Sequence, residues 1–230
     1  METLGPDALK LLEIIWINII LSGDNAVVIA MACRSLPADK QRIGMILGAG
    51  VAIVLRIVFT VVVVTLLTTP YLKIVGGALL LWVAVKLCMG EDEGDDGVQG
   101  SEKLWQAVRT VAIADAVMSL DNVLAIAAVA KGSTFLLIVG LAISIPLIIA
   151  GASLIITLLE KLPILVWAGA ALLGWISGEM IVSDPALVSR FGEEATHRWE
   201  VPVGIAAAVL VVLVGYVLSR RKHKHREASA

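Results

Sequence analysis

The sequence predicts an all-α, polytopic membrane fold of about seven transmembrane helices: two inverted three-helix repeats and one extra helix. Three observations carry that prediction. The chain is 59% hydrophobic with a mean hydropathy of +0.93, well above the roughly 45–50% apolar usage of a soluble domain. Its apolar residues fall into seven runs of membrane-crossing length. A polar motif also occurs twice, as L-S-G-D-N-A-V-V-I-A at 21–30 and S-L-D-N-V-L-A-I-A at 119–127, each inside one of those runs.

The runs lie near 11–32, 43–67, 70–89, 104–130, 134–158, 163–182 and 201–219. Each is close to the roughly 20 residues that cross ~30 Å of hydrocarbon as a helix. The first ten residues lack the basic region and small-residue cleavage site of a signal peptide, so the first run is expected to be a retained span. C-R-S-L-P-A-D-K-Q-R separates it from the second run, which carries Gly44, Gly48, Gly50 and, at its centre, Arg56. A tight turn at Pro70 is expected to divide the second run from the third, because proline restricts the residue before it and ends a helix. The third closes with Lys86, whose long stem can snorkel to the interface. E-D-E-G-D-D-G-V-Q-G-S-E at 91–102 reads as a flexible, solvated joint without the ordered ligand spacing of an EF-hand calcium loop. The fourth and fifth runs are separated by K-G-S-T, and the fifth and sixth by E-K-L-P. Gly169, Ala170 and Gly174 in the sixth suit close helix packing, and Glu179 stands near its end. After the seventh run comes R-R-K-H-K-H-R at 220–226. Trp16, Trp82, Trp105 and Trp199 lie nearer span ends and suit interfacial belts.

Short-loop Lys and Arg set the orientation. With the basic tail in the cytoplasm, seven spans put the N-terminus outside, twelve Lys/Arg inside and five outside. The chain then reads as one transmembrane domain: repeat one 11–89, an acidic cytoplasmic linker 90–103, repeat two 104–182, a seventh helix 201–219 and a basic tail 220–230. Cys33 and Cys88 form no Cys/His cluster and read as small apolar residues. No basic patch with interleaved aromatics points to nucleic acid, and no motif calls for an organic cofactor.

A shift of 97 residues lays Ser22, Asp24, Asn25, Ile29 and Ala30 on Ser119, Asp121, Asn122, Ile126 and Ala127, and Asn18 on Asp115. A shift of 93 lays Gly76, Ala78, Leu79, Leu80 and Trp82 on Gly169, Ala171, Leu172, Leu173 and Trp175. Three spans per repeat is an odd number, so the second repeat is inverted. That architecture recurs in secondary transporters, which bind substrate near the midplane where the repeats meet.

The candidate ligands are the carboxylates of Asp24, Asp115 and Asp121 and the amides of Asn18, Asn25 and Asn122. An intramembrane carboxylate costs about 2.5–3.5 kcal/mol on insertion scales, so it usually faces a bundle interior or aqueous cavity. All six residues offer oxygen, which suits hard divalent cations such as Mn²⁺, Mg²⁺ and Ca²⁺. Asn18 to Asp24 and Asp115 to Asp121 are each six residues, about 240° around an unbroken helix. Convergence on one ion therefore predicts a local kink at Ser22-Gly23 and a weaker one at Ser119. The alternative is that these side chains merely join helices through hydrogen bonds. A neutral Asn would do that as well, without the ionisation cost of Asp. Arg56 has two possible counter-charges, an aspartate of the site or Glu179, and the sequence leaves both open.

On N-I-I-L-S-G-D-N-A-V-V-I-A at 18–30, D-A-V-M-S-L-D-N-V-L at 115–124 and the seven-helix layout, the chain resembles the TerC family of integral membrane proteins, and within it a YjbE-type branch. The resemblance covers about residues 8–220 and places the family in the wider LysE-type transporter superfamily. It implies a seven-helix inverted-repeat fold in a bacterial inner membrane and export of metal ions, chiefly manganese, with a historical link to tellurium resistance. Asp24, Asn25, Asp115, Asp121 and Asn122 fall on the family's acidic motif positions. Asn18 stands where many members carry Glu.

The expected function is export of a divalent cation, with Mn²⁺ favoured, through an aspartate site between inverted repeats and with proton exchange as a natural driving reaction. The protein is expected not to be an enzyme: an intramembrane aspartyl protease would need G-x-G-D and a Tyr before the aspartate, and both are missing here. A non-transporting membrane partner that binds or supplies metal is the other reading, because binding and transport share ligands. The implied partners are the bilayer and the metal ion, and the oligomeric state is not readable.

Overall fold

The computed structural model describes Trp16 and residues 23–89, 100–130 and 134–227, without the side chains of residues 60–68, 120–130, 134–138, 140–142, 144 and 221–227. Among the described residues the chain is all helical: α1 Gly23–Cys33, α2 Ala38–Thr68, α3 Leu72–Met89, α4 Gly100–Ala130, α5 Thr134–Lys161, α6 Ile164–Val182, α7 Pro185–Phe191 and α8 Glu193–Glu227. Four segments among them are long and apolar enough to cross a membrane: Ala38–Phe59, Leu72–Met89, Ile164–Val182 and Glu193–Arg220. Their many exposed large apolar side chains, such as Val54, Leu79, Leu172 and Leu213, match a fold whose outer face meets lipid.

Several boundaries differ from the sequence expectation. Helix α2 begins at Ala38, where the Pro37 carbonyl accepts from Lys40 and Gln41 N–H. The part of the expected linker at 100–103 is already the first turn of α4. The 183–200 stretch, which lies between the sixth and seventh apolar runs, holds α7 and the start of α8. Asp184 caps α7 by accepting from Ala186 N–H at 2.8 Å, and Pro185 suits the first helical turn. Helix α8 then continues through Glu227, so the basic cluster rides on a helix. Its first turns carry the ion pair Arg198–Glu194 at 2.7 Å and the hydrogen bond between His197 and Glu200 at 2.8 Å, contacts at helical spacings that modestly support an exposed helix.

The chain forms two compact units that draw on both halves of the sequence. One comprises residues 1–68 and 99–158, the other residues 69–98 and 159–230. In the first, α2 approaches α4 closely. A Cβ on Gly44 would lie 3.3 Å from Leu104, and one on Gly48 would lie 3.2 Å from Val111. The rising order of these pairs makes α2 and α4 parallel. Asn25, Val28 and Ile29 of α1 share a crevice with Asp115 and Val111. Helix α1 thus packs on α4 along this crevice.

In the second unit α3 and α6 are antiparallel, with Lys73 beside Ser183 and Ser177 Oγ donating to the Gly77 carbonyl. Gly178 faces Gly204, and Gly174 faces Ala207 and Ala208, so α6 and α8 are antiparallel too. Within each unit the polarities are those of helices crossing a layer in turn. Leu80 and Leu173, equivalent in the 93-residue echo, are both fully buried, while Leu79 and Leu172 are both exposed.

The turn after α2 comes at Thr69-Pro70-Tyr71, as expected. Tyr71 is held at φ 66°, a conformation uncommon for a bulky side chain. The buried Asp184 carboxylate stabilises it by accepting from Tyr71 N–H at 2.9 Å, Lys73 N–H at 3.0 Å and Ile74 N–H at 3.3 Å. One carboxylate thus serves the otherwise unbonded first N–H groups of both α3 and α7.

Candidate functional site

The close approach of α2 and α4 decides what faces what. Gly44, Gly48, Ala52 and Arg56 recur every four residues and form one ridge of α2. Gly48 lets the backbones meet at Val111, and Arg56, two turns beyond Gly48 on this ridge, reaches back to Asp115, one turn beyond Val111 on α4. Arg56 Nη2 donates to Asp115 Oδ1 at 3.0 Å, and both side chains are only 3% exposed. Ser119 Oγ, fully buried one turn further, donates to Asp115 Oδ2 at 3.0 Å. Both oxygens of this carboxylate are therefore engaged.

Helix α1 supplies the third side. Asn25 is 4% exposed and lines the crevice with Asp115; the packing there leaves no room for a water molecule. Asp24, part-buried in the first turn of α1, accepts from Asn25 N–H at 2.8 Å. It lies within electrostatic reach of both Arg56 and Asp115. Around them stand Val28, Ile29, Val111, Ala114 and Met118, all buried, so these charges face one another across a medium of low dielectric.

Arg56 therefore pairs with Asp115, a choice the sequence left open. Glu179 sits half-buried on α6, in the other unit. No unwinding accompanies Ser119, where a local kink is expected: α4 is continuous from Gly100 to Ala130. The hydroxyl bonds back four residues to Asp115, a contact that an intact helix accommodates. Asp121 consequently lies about 9 Å along the axis from Asp115, and the acidic residue that shares the crevice with Asn25 is Asp115. The Asp121 and Asn122 side chains, Asn18, and Ser22 of the proposed kink in the first span lie outside the described residues. Among the described residues, no three Asp, Glu, His or Cys side chains cluster; the acidic members of the site are Asp24 and Asp115.

Ser119 is the residue whose part the sequence reading missed. Its signal was present in the spacing, since a hydroxyl four residues after a carboxylate shares its helix face. Lys86 Nζ lies 5.7 Å from the centroid of the Trp82 ring, one turn back along α3. Trp16, Trp82, Trp105 and Trp199 are all exposed. Cys33 and Cys88 are buried in helices.

Comparison with known proteins gives a consistent picture. The model described as "Integral membrane protein TerC family" matches residues 4–226. The chain is 41% identical over 208 residues to the Bacillus subtilis protein named "Uncharacterized membrane protein YjbE", covering 90% of this chain and 95% of that one. It is 25% identical over 220 residues to "Uncharacterized membrane protein YceF" of the same organism, covering 92% and 83%. A third B. subtilis relative, "Uncharacterized membrane protein YkoY", is 26% identical over 239 residues, covering 89% and 73%. No solved structure matches.

Proposed function

The chain belongs to the TerC family of multi-pass integral membrane proteins, and from that premise we propose that it is a secondary transporter exporting a divalent cation, with Mn²⁺ as the favoured cargo. The observation that carries the proposal is the polar centre of the first unit: Asp24, Asn25, Asp115 and Ser119 beside Arg56, enclosed by apolar side chains. An ionisable intramembrane group is costly, and where it occurs it marks an ion or substrate pathway more often than a structural tie. Every neutral or anionic donor in the cluster is an oxygen, the set that hard divalent cations prefer. Asp121, Asn122 and Asn18 join the proposed ligand set through the sequence repeat.

In this reading the two repeats alternate access around the aspartates. The antiparallel packing of α3 on α6 supports inverted halves. Cation binding and proton binding compete for the same carboxylates, which would couple export to proton entry. The chain sits in a bacterial inner membrane with its N-terminus outside and its basic C-terminal helix in the cytoplasm.

Uptake of ⁵⁴Mn²⁺ into inverted membrane vesicles tests the proposal. Vesicles carrying the protein should accumulate the isotope, and Asp24→Asn or Asp115→Asn should reduce the initial rate at least tenfold. Equal accumulation by vesicles with the wild-type chain and with both variants would refute it.

A further inference from the structure

Asp115 cannot serve a cargo ion in the arrangement seen here. Arg56 holds Oδ1 at 3.0 Å, the Ser119 hydroxyl holds Oδ2 at 3.0 Å, and the crevice between α1 and α4 has no space for even a water molecule. We propose that Arg56 is a tethered counter-ion: it occupies the cation's place on Asp115, and a divalent cation binds only by displacing it. The inference rests on the reading of this cluster as a cation site, and it adds what regulates that site.

The charges favour the exchange for one class of ion. Asp24 and Asp115 are two carboxylates within electrostatic reach of one guanidinium, a formal charge of minus one among these three described residues. With the guanidinium swung out of reach of both carboxylates, a divalent cation neutralises them and a monovalent one leaves a net minus one, a large difference where the surroundings are apolar. Arg56 also keeps Asp115 paired when no cargo is bound, so the carboxylate never stands alone in the bundle.

Competition of this kind lowers apparent affinity, because only the fraction of molecules with Arg56 displaced can bind. The same competition speeds release, as the guanidinium returns to Asp115. A purely structural tie between α2 and α4 would do neither, and removing it would weaken binding.

The test is Mn²⁺ binding and transport by the full-length chain in lipid nanodiscs and vesicles. Arg56→Gln should bind Mn²⁺ at least tenfold more tightly than wild type, while its maximal ⁵⁴Mn²⁺ transport rate falls because release is slowed. Arg56→Lys keeps a competing cation and should bring affinity back to within about threefold of wild type. A folded Arg56→Gln whose affinity is unchanged or weaker overturns the inference. If that variant does not fold, wild-type protein soaked in Mn²⁺ and located by anomalous scattering gives the answer. A cation on Asp115 with the guanidinium moved off Oδ1 supports the exchange, and a cation there with the 3.0 Å pair intact overturns it. Should wild-type protein bind no Mn²⁺ at all, the transport proposal fails together with this one. Binding without competition removes only the counter-ion.

Discussion

At the scale of single residues, two buried aspartates have opposite uses. Asp184 spends its oxygens on backbone N–H groups of Tyr71, Lys73, Ile74 and Ala186, which makes it an anchor for two helix starts. Hydrogen bonds to a charged group contribute about 1.5–3 kcal/mol each. Even allowing for water replacing some of them, Asp184→Ala should lower stability by about 3 kcal/mol, visible as a drop in the unfolding temperature in detergent. Asp115 binds side chains that can move. Removing only Arg56, as in Arg56→Leu, leaves its carboxylate uncompensated and should cost about 3–5 kcal/mol, whereas Arg56→Leu with Asp115→Leu should fold close to wild-type stability. The same unfolding measurement reads both variants, and equal losses in the two would show that the uncompensated Asp115 charge is not what Arg56→Leu costs.

The sequence made Arg56 visible as a charge that needs a partner, but not the partner itself. Asp115 is 59 positions away, and its selection over Glu179 follows from the register of α2 on α4. Ser119 shows the converse: its contact is local, at four residues along one helix, and was readable in principle.

At the scale of helices, glycine placement decides which pairs approach. A Cβ on Gly178 would meet the Gly204 Cα and the Val203 carbonyl oxygen at 2.8 Å, backbone atoms that yield only if α6 and α8 separate. Gly178→Ala should therefore destabilise by about 1–3 kcal/mol, as overpacking does. Gly50 is in mid-helix with open space around it. Gly50→Ala should be neutral or stabilise by up to about 1 kcal/mol, because alanine is the better helix former. Paired thermal unfolding curves check both, and a destabilised Gly50→Ala would contradict the packing described. Runs of apolar residues located the helices well because membrane crossing imposes a length. They located helix ends less well. The linker's last residues, the 183–200 stretch and the basic tail are polar, and polarity alone does not tell a loop from a helix that leaves the bilayer.

At the scale of the whole chain, the compact units cut across the order of the sequence. The first takes α1 and α2 from one half with α4 and most of α5 from the other, and the second groups α3 with α6, α7 and α8. Equivalent helices of the proposed repeats thus fall in the same unit, α1 with α4 and α3 with α6. The proposed orientation has its own test. A fluorescent protein fused after Ala230 should fluoresce in the cytoplasm, and alkaline phosphatase fused at the same point should be inactive; active phosphatase would reverse the topology.

The sequence by itself determined that the chain is a helical membrane protein of the TerC type and that Asp24, Asn25 and Asp115 are unusual in their apolar runs. These facts follow from composition, run length and local motif, and each can be read without knowing what touches what. Only the tertiary structure decided that Arg56 closes on Asp115, that Ser119 bonds back to it within a continuous α4, and that Asn25 shares a crevice with Asp115. The reason is geometric. A residue's level and facing within a bundle depend on the register between helices far apart in sequence. That register is set by where small residues such as Gly44 and Gly48 let backbones meet.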